Sequence, residues 1–244
     1  MLDNLPNLSI AGVFAIVVPA YLVRGIAGFG SGLIAIPLLS LILPLHISVP
    51  LIVLLDYLAS LGQGVTQRCV ISWSDIRYLI PSAVVGVSLA IYVFDAAGDR
   101  LLLKALGAFI ILFALYSLLA KSHAPRITRA WALPAGFLGG FIGTLFGTGG
   151  PFYASYLRAR QLDKAPFRAT FACLFLLDGA TRLTGYSASG LLTVTTLGLL
   201  GLCLPAMIIA LHLGGRIHAR ISQRQFQRGI SILLLFSGSA LLLK

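Results

Sequence analysis

Two dense glycine clusters interrupt the long apolar runs of this chain, and they constrain its fold more than any other feature. We call residues 25–32 the first glycine turn and residues 143–151 the second glycine turn. Glycine weakens a helix and permits positive φ, so a helix should break at each cluster. Lipid cannot satisfy broken backbone, and matching breaks in two halves of a chain are typical of transport sites. We therefore predict a membrane transporter whose two glycine turns face each other at the substrate site.

The apolar character of the whole chain supports a location in a membrane. Of the 244 residues, 58% are hydrophobic and only 10% are charged, whereas a soluble domain carries about 25% charged residues. The formal charge of +11 could suggest a nucleic-acid partner, but the basic residues cluster in short loops between apolar spans. That pattern is typical of loops that face the cytoplasm. We therefore predict an all-α, multi-pass membrane protein that binds no nucleic acid.

Three features recur in the same order in the two halves of the chain: a glycine turn, an acid within a span, and a proline within a later span. The matched residues are Gly28 with Gly147, Asp56 with Asp178, and Pro81 with Pro205. A basic segment around Pro125 separates the halves. We therefore expect one membrane domain built from two repeats, 1–121 and 131–244, joined by a basic cytoplasmic linker at 122–130.

The distribution of loop charge predicts that the two repeats are inverted. The basic loops at 121–129 and 158–168 should both lie in the cytoplasm, and residues 130–157 between them are too few for two full spans, which need about 40 residues. This insert should be a re-entrant hairpin or two short helices, with the second glycine turn at its tip. The first hairpin, 8–43, is longer and could hold two nearly full helices. Each repeat then has a hairpin and three transmembrane helices, and three crossings place the repeats in opposite orientations.

Both glycine turns carry groups that suit an anion. A helix N-terminus presents free N–H groups and the positive end of the helix dipole, and a helix should begin at Ser31 or Leu33 and again near Pro151. The candidate ligands in the turns are Gly28, Phe29, Gly30, Ser31, Gly32, Gly147, Thr148, Gly149 and Gly150. The alternative interpretation is that these small residues only allow close helix packing.

Four charged residues lie beside or within the apolar spans. Arg24 and Arg182 are candidate ligands, because a membrane arginine usually faces protein or water and its planar fork matches an oxyanion. Arg24 could instead snorkel to an interface. Asp56 and Asp178 could couple transport to protons, or Asp178 could be the structural partner of Arg182, which follows it by one helical turn.

The residue pattern favours no other chemistry. The three cysteines and four histidines show no ligand spacing, so we predict no metal site and no cofactor. No nucleophile–base pair stands out, and no strand precedes Ser31 as a nucleophile elbow would require. We therefore do not expect an enzyme. A membrane-embedded hydrolase, a non-transporting scaffold and a metal or cofactor permease remain as alternatives.

The glycine turns also resemble a known motif. The first reads Gly25-x-x-Gly28-Phe29-Gly30-Ser31-Gly32-x-x-x-x-Pro37, and the second reads Gly143-x-x-x-Gly147-Thr148-Gly149-Gly150. This pattern resembles the repeated glycine motif of the TauE/SafE sulfite exporter family, although Pro151 replaces a further glycine and Tyr156 stands where Pro37 would. The resemblance covers nearly the whole chain. It implies a transporter of the bacterial inner membrane that exports a small sulfur oxyanion, sulfite or an organosulfonate, with another small anion as the alternative. The expected partners are that anion and the lipid bilayer, and a homo-oligomer is left open.

Overall fold

The fold is known from a computed structural model, which describes residues 7–28, 30–62, 70–119, 126–216 and 223–243. Within these ranges the regular structure is entirely helical, which confirms the predicted all-α class. A short 3₁₀ segment, Arg129–Trp131, precedes the sixth helix. The described ranges contain ten α-helices, which are α1 (Asn7–Ala27), α2 (Ser31–Leu39), α3 (Leu45–Gly62), α4 (Trp73–Ala96), α5 (Asp99–Leu119), α6 (Ala132–Phe146), α7 (Gly150–Ala159), α8 (Lys164–Ala188), α9 (Val194–Arg216) and α10 (Gln223–Leu243).

Several helices have the length and composition of membrane spans. Among the helices of the described residues, three are long and apolar enough to cross a bilayer: Trp73–Ala96, Asp99–Leu118 and Val194–Arg216. Shorter apolar stretches run over Ile10–Ile26, Leu45–Leu61 and Gly229–Leu243. Large apolar side chains on these helices face outward, and Tyr92, for example, is 72% exposed. Such surfaces suit contact with lipid, which agrees with the multi-pass membrane protein predicted from composition.

The second hairpin matches its prediction, whereas the first does not. Helices α6 and α7 have 15 and 10 residues and are separated by the second glycine turn, which confirms two short helices. In the first hairpin α1 has 21 residues, but α2 has only nine. Nine residues rise about 14 Å, less than half of a hydrocarbon core of about 30 Å. The apolar run continues to Leu43, but the chain turns at residues 40–43, and Pro44 disfavours helical backbone at Leu43.

Helix α3 begins earlier than the prolines of its first turns suggested. Proline is more common in the first turn of a helix than inside it, but α3 starts at Leu45 and contains Pro50. The backbone N–H and the hydroxyl of Ser48 both donate to the carbonyl of Pro44, at 3.0 and 3.1 Å, and close the first turn. Membrane helices tolerate an internal proline when neighbouring groups satisfy the freed backbone.

The helices form two compact units, and each unit takes helices from both predicted repeats. Unit 1 comprises Met1–Leu55, Ala97–Ala120 and Leu192–Lys244, and unit 2 comprises Asp56–Ala96 and Lys121–Leu191. This division describes packing, whereas 1–121 and 131–244 describe a duplication, which stays a prediction. Of the predicted linker at 122–130, only residues 126–130 lie within the described part of the chain.

In each unit the first helix of a glycine hairpin packs along a long apolar helix. In unit 1, α1 lies along α9, and a Cβ added at Gly25 would lie 2.8 Å from the Cα of Gly214. In unit 2, α6 lies along α4, and a Cβ added at Gly140 would overlap the backbone of Ala83. Small residues therefore allow close backbone contact at both pairs. Helix α7 packs against α6 and α8, so the second glycine turn lies beside α8.

Candidate functional site

The second glycine turn joins α6 to α7 through two glycines with different roles. Gly147 ends α6 with a left-handed φ of 61°, and α7 begins at Gly150 with Pro151 in its first turn, which confirms the predicted helix start. Gly149 has a φ of −68°, which residues with a side chain also adopt. Gly149 is required by space instead, because an added Cβ would meet the carbonyl of Gly139 and the guanidinium of Arg182.

The guanidinium of Arg182, on α8, contacts this turn and connects α8 to α6. Its Nη1 donates to the carbonyl of Gly143 and its Nη2 to the carbonyl of Gly139, both at 3.1 Å. Nη2 also pairs with Oδ2 of Asp178, one turn earlier on the same helix. The predicted contact between Arg182 and Asp178 is therefore confirmed, and both side chains are buried. The two carbonyl bonds to α6 were not predicted.

Four buried polar atoms at this turn make no hydrogen bond to the described part of the chain. They are Thr148 Oγ1, Tyr153 OH, Asp178 Oδ1 and Arg182 Nε. Thr148 adjoins Gly149 in the turn, and the ring of Tyr153 fills the space where Gly139 has no side chain. The Tyr153 hydroxyl lies close to the side chains of Asp178 and Arg182, but it makes a hydrogen bond of good geometry to neither. We call these four residues the second-turn cluster. Buried polar groups are nearly always paired, so such a cluster is typical of a site for a polar ligand or water.

Two tyrosines of this region were not among the residues predicted from the sequence. Tyr153 lies one turn into α7, and Tyr186 on α8 donates to the carbonyl of Thr144 on α6 at 2.5 Å. Each is fully buried with a polar tip, a combination that normally requires a partner. Their spacing could have identified them. Tyr153 lies one helical turn after Gly150, and Tyr186 lies one helical turn after Arg182.

The first glycine turn, in unit 1, has its own buried arginine. Gly28 and Gly30 both have left-handed φ, 83° and 102°, and α2 begins at Ser31, which is one of the two predicted starts. Arg24 is only 2% exposed and its Nη1 donates to the Ser31 hydroxyl at 3.2 Å, bridging the two helices of the hairpin. This geometry does not agree with snorkelling to an interface. Gly32 is buried in α2, and Phe29 lies outside the described residues.

The remaining candidate residue is Asp56, which lies apart from both glycine turns in the sequence. Asp56 lies half-buried in α3, in the part assigned to unit 2, and its backbone carbonyl accepts a hydrogen bond from the Ser60 hydroxyl at 2.8 Å. The proposed coupling roles of Asp56 and Asp178, and the juxtaposition of the two turns, stay predictions. In the described ranges, His, Cys, Asp and Glu form no group of three that could hold a metal ion.

The fold and the two turns together define a polytopic membrane protein with paired helix breaks, the arrangement found in secondary transporters. The sequence matches the family profile of the sulfite exporter TauE/SafE over residues 13–241. The chain belongs to this family, and it is a membrane transporter of the inner membrane. It is similar to the probable inner membrane transporter protein TsaS of Comamonas testosteroni, with 25% identity over 193 residues, which is 78% of this chain and 81% of that protein. No solved structure shows a significant match.

Proposed function

We propose that this transporter exports a small sulfur-containing oxyanion, sulfite or an organosulfonate, and that the second-turn cluster binds it. The observation that carries the proposal is the set of unpaired donors at one turn: Thr148 Oγ1, Tyr153 OH and Arg182 Nε. A buried donor without a partner costs about 1–3 kcal/mol. An oxyanion could accept from all three groups and recover that free energy.

The N-terminus of α7 would also attract the anion. The first N–H groups of a helix have no partner within the helix, and the N-terminus carries the positive end of the dipole. Because Gly149 has no side chain, the start of α7 lies close to the guanidinium of Arg182. The carboxylate of Asp178 balances the charge of Arg182, so binding depends on donors and the dipole rather than on an uncompensated cation. We expect such a site to bind the anion with moderate affinity, which suits a transporter that must release its substrate.

The first glycine turn would contribute in a similar way in this proposal. Arg24 at the end of α1 donates to Ser31 at the start of α2, and a Cβ added at Gly28 or Gly30 would meet no atom within 4 Å. Export needs no further machinery, because an inside-negative potential drives a monovalent anion outward by about 2.3 kcal/mol per 100 mV. In a coupled version Asp56 or Asp178 would carry the proton. The chain would have no enzymatic role.

Flux measurements in liposomes test the proposal. The purified protein is reconstituted, the vesicles are loaded with sulfite, methanesulfonate, sulfate or acetate, and efflux is followed under an inside-negative potential. We expect efflux of sulfite or methanesulfonate to exceed that of acetate. Preference for acetate or sulfate would assign a different anion, and no flux of any anion would refute the proposal.

Two near-isosteric variants locate the site. Thr148→Val and Tyr153→Phe each remove one unpaired hydroxyl with little change of shape, and each should raise the KM for the anion. Ser88→Ala is the matched control, because the exposed Ser88 hydroxyl donates only to the carbonyl of Val84 within its own helix. If both site variants transport as the control does, the cluster does not bind the substrate.

A further inference from the structure

A second buried polar network lies at the opposite end of α7 from the glycine turn. Its centre is Asp75, in the first turn of α4, which is 1% exposed. The carboxylate accepts hydrogen bonds from Ser72 Oγ at 2.7 Å, Tyr156 OH at 2.7 Å and Arg160 Nε at 3.1 Å. Three donors on one buried carboxylate form a strong, charge-assisted set. The proposed anion site uses none of these residues.

The network joins the end of α7 to three other segments of unit 2. Arg160 Nη1 donates to the carbonyl of Ile127, and the Ile127 N–H donates to the carbonyl of Ala159, both at 3.1 Å. On the other side, the backbone N–H of Ser72 donates to the hydroxyl of Thr170 on α8 at 2.9 Å. The end of α7 is thereby connected to α4, to α8 and to the segment that leads into α6.

Helix α7 is short enough to transmit this constraint to its other end. Ten residues span about 15 Å, so we treat the helix as one rigid element. Tyr156 and Arg160 are four residues apart and share one face, so holding both sets the position of the helix and its rotation about its axis. The N-terminal end of the same helix carries Gly150 and, one turn later, Tyr153 of the second-turn cluster.

We propose that Asp75 is a positioning residue for the second glycine turn. Through Tyr156 and Arg160 it fixes α7, and α7 in turn holds the N–H groups and the Tyr153 hydroxyl where the anion binds. This inference rests on the proposed function for its effect on transport, but not for its effect on the turn itself. Loss of the Asp75 charge loosens α7, so the turn opens more often and the anion binds more weakly.

Hydrogen exchange of the turn tests the positioning without reference to any substrate. Asp75→Asn is compared with the unchanged protein in lipid nanodiscs, and exchange is followed over residues 147–153. Asp99→Asn is the matched control, because Asp99 also lies in the first turn of an apolar helix but has a 59% exposed side chain. We expect several-fold faster exchange at 147–153 in Asp75→Asn alone, and near-normal exchange in the conservative Asp75→Glu.

Transport kinetics provide the second measurement. Asp75→Asn should raise the KM for the anion several-fold with a smaller change in Vmax, because binding is weakened while the transporting molecule is otherwise intact. If Asp75→Asn does not fold, Tyr156→Phe removes one donor of the three and is measured in its place.

The outcomes separate the two proposals. Unchanged exchange at 147–153, or equally faster exchange throughout the chain, would overturn the positioning role and leave Asp75 as a general stabilising residue. An unchanged KM alongside faster turn exchange would overturn the link to the anion site. Absence of anion flux in the unchanged protein would refute the proposed function, and the exchange measurement would still decide whether Asp75 positions the turn.

Discussion

The buried pair of Asp178 and Arg182 can be dissected with a double-mutant cycle. The single changes are Asp178→Leu and Arg182→Met, and the double variant replaces the pair with apolar side chains of similar size. Removing one partner leaves the other as an uncompensated buried charge, which costs about 3–5 kcal/mol. Arg182→Met also loses the hydrogen bonds to the carbonyls of Gly139 and Gly143, at about 0.5–1.5 kcal/mol each.

The two single variants should therefore differ from each other. Asp178→Leu leaves Arg182 with both carbonyl partners, so its loss should fall near the lower limit of about 3 kcal/mol. Arg182→Met leaves Asp178 with no cation and should lose about 5 kcal/mol or more. The double variant leaves no buried charge and should lose only the two carbonyl bonds, about 1–3 kcal/mol. The coupling within the pair is then several kcal/mol and favourable.

The free energy of unfolding is measured by denaturant titration in mixed micelles, with helix content as the signal. The control cycle uses the exposed pair of His46 and Asp99, whose Nδ1 and Oδ2 atoms are 3.7 Å apart. That cycle should give a coupling near zero, since exposed pairs contribute little. Equal stability of Arg182→Met and the unchanged protein would refute this reasoning, as would a double variant as unstable as the sum of the singles. Normal sulfite flux in a stable double variant would remove Arg182 from the anion site.

Three further predictions concern the turn, the packing and the topology. Gly147→Ala should lower the free energy of unfolding by about 1–2 kcal/mol because the φ of Gly147 is left-handed. The control Gly201→Ala, in open space on α9, should raise it by about 1 kcal/mol. Equal effects of the two changes in thermal melts would contradict the need for glycine at position 147. Gly140→Val should prevent α6 from lying against Ala83 on α4 and reduce the yield of folded protein, and a normal yield with normal flux would show that the contact is dispensable. A cysteine at the exposed Ala165, in the first turn of α8 and within the basic region 158–168, should be labelled by an impermeant reagent only from the cytoplasmic side. Ready labelling from outside would overturn the predicted topology.

Features that depend on neighbouring residues in the chain could be predicted from the sequence. Helix breaks at both glycine turns follow from glycine's backbone freedom, and the start of α7 follows from the preference of proline for a first helical turn. The contact between Asp178 and Arg182 follows from their spacing of one helical turn. Membrane location follows from apolar runs long enough to span a bilayer. Each of these inferences needs only the local sequence and the helical period.

Features that join distant parts of the chain were decided by the tertiary structure. Asp75 meets Tyr156 and Arg160 across 81 and 85 residues, and nothing in the local sequence of either segment indicates the other. The carbonyls of α6 reach Arg182 only because α6 packs beside α8, and which helices become neighbours depends on how side chains of many helices fit together. Even the length of α2 was not evident from its apolar run, because apolarity measures preference for lipid and does not distinguish a helix from a turn covered by protein. The amino-acid sequence therefore determined the helices and the two breaks, and tertiary packing determined the groups that surround each break.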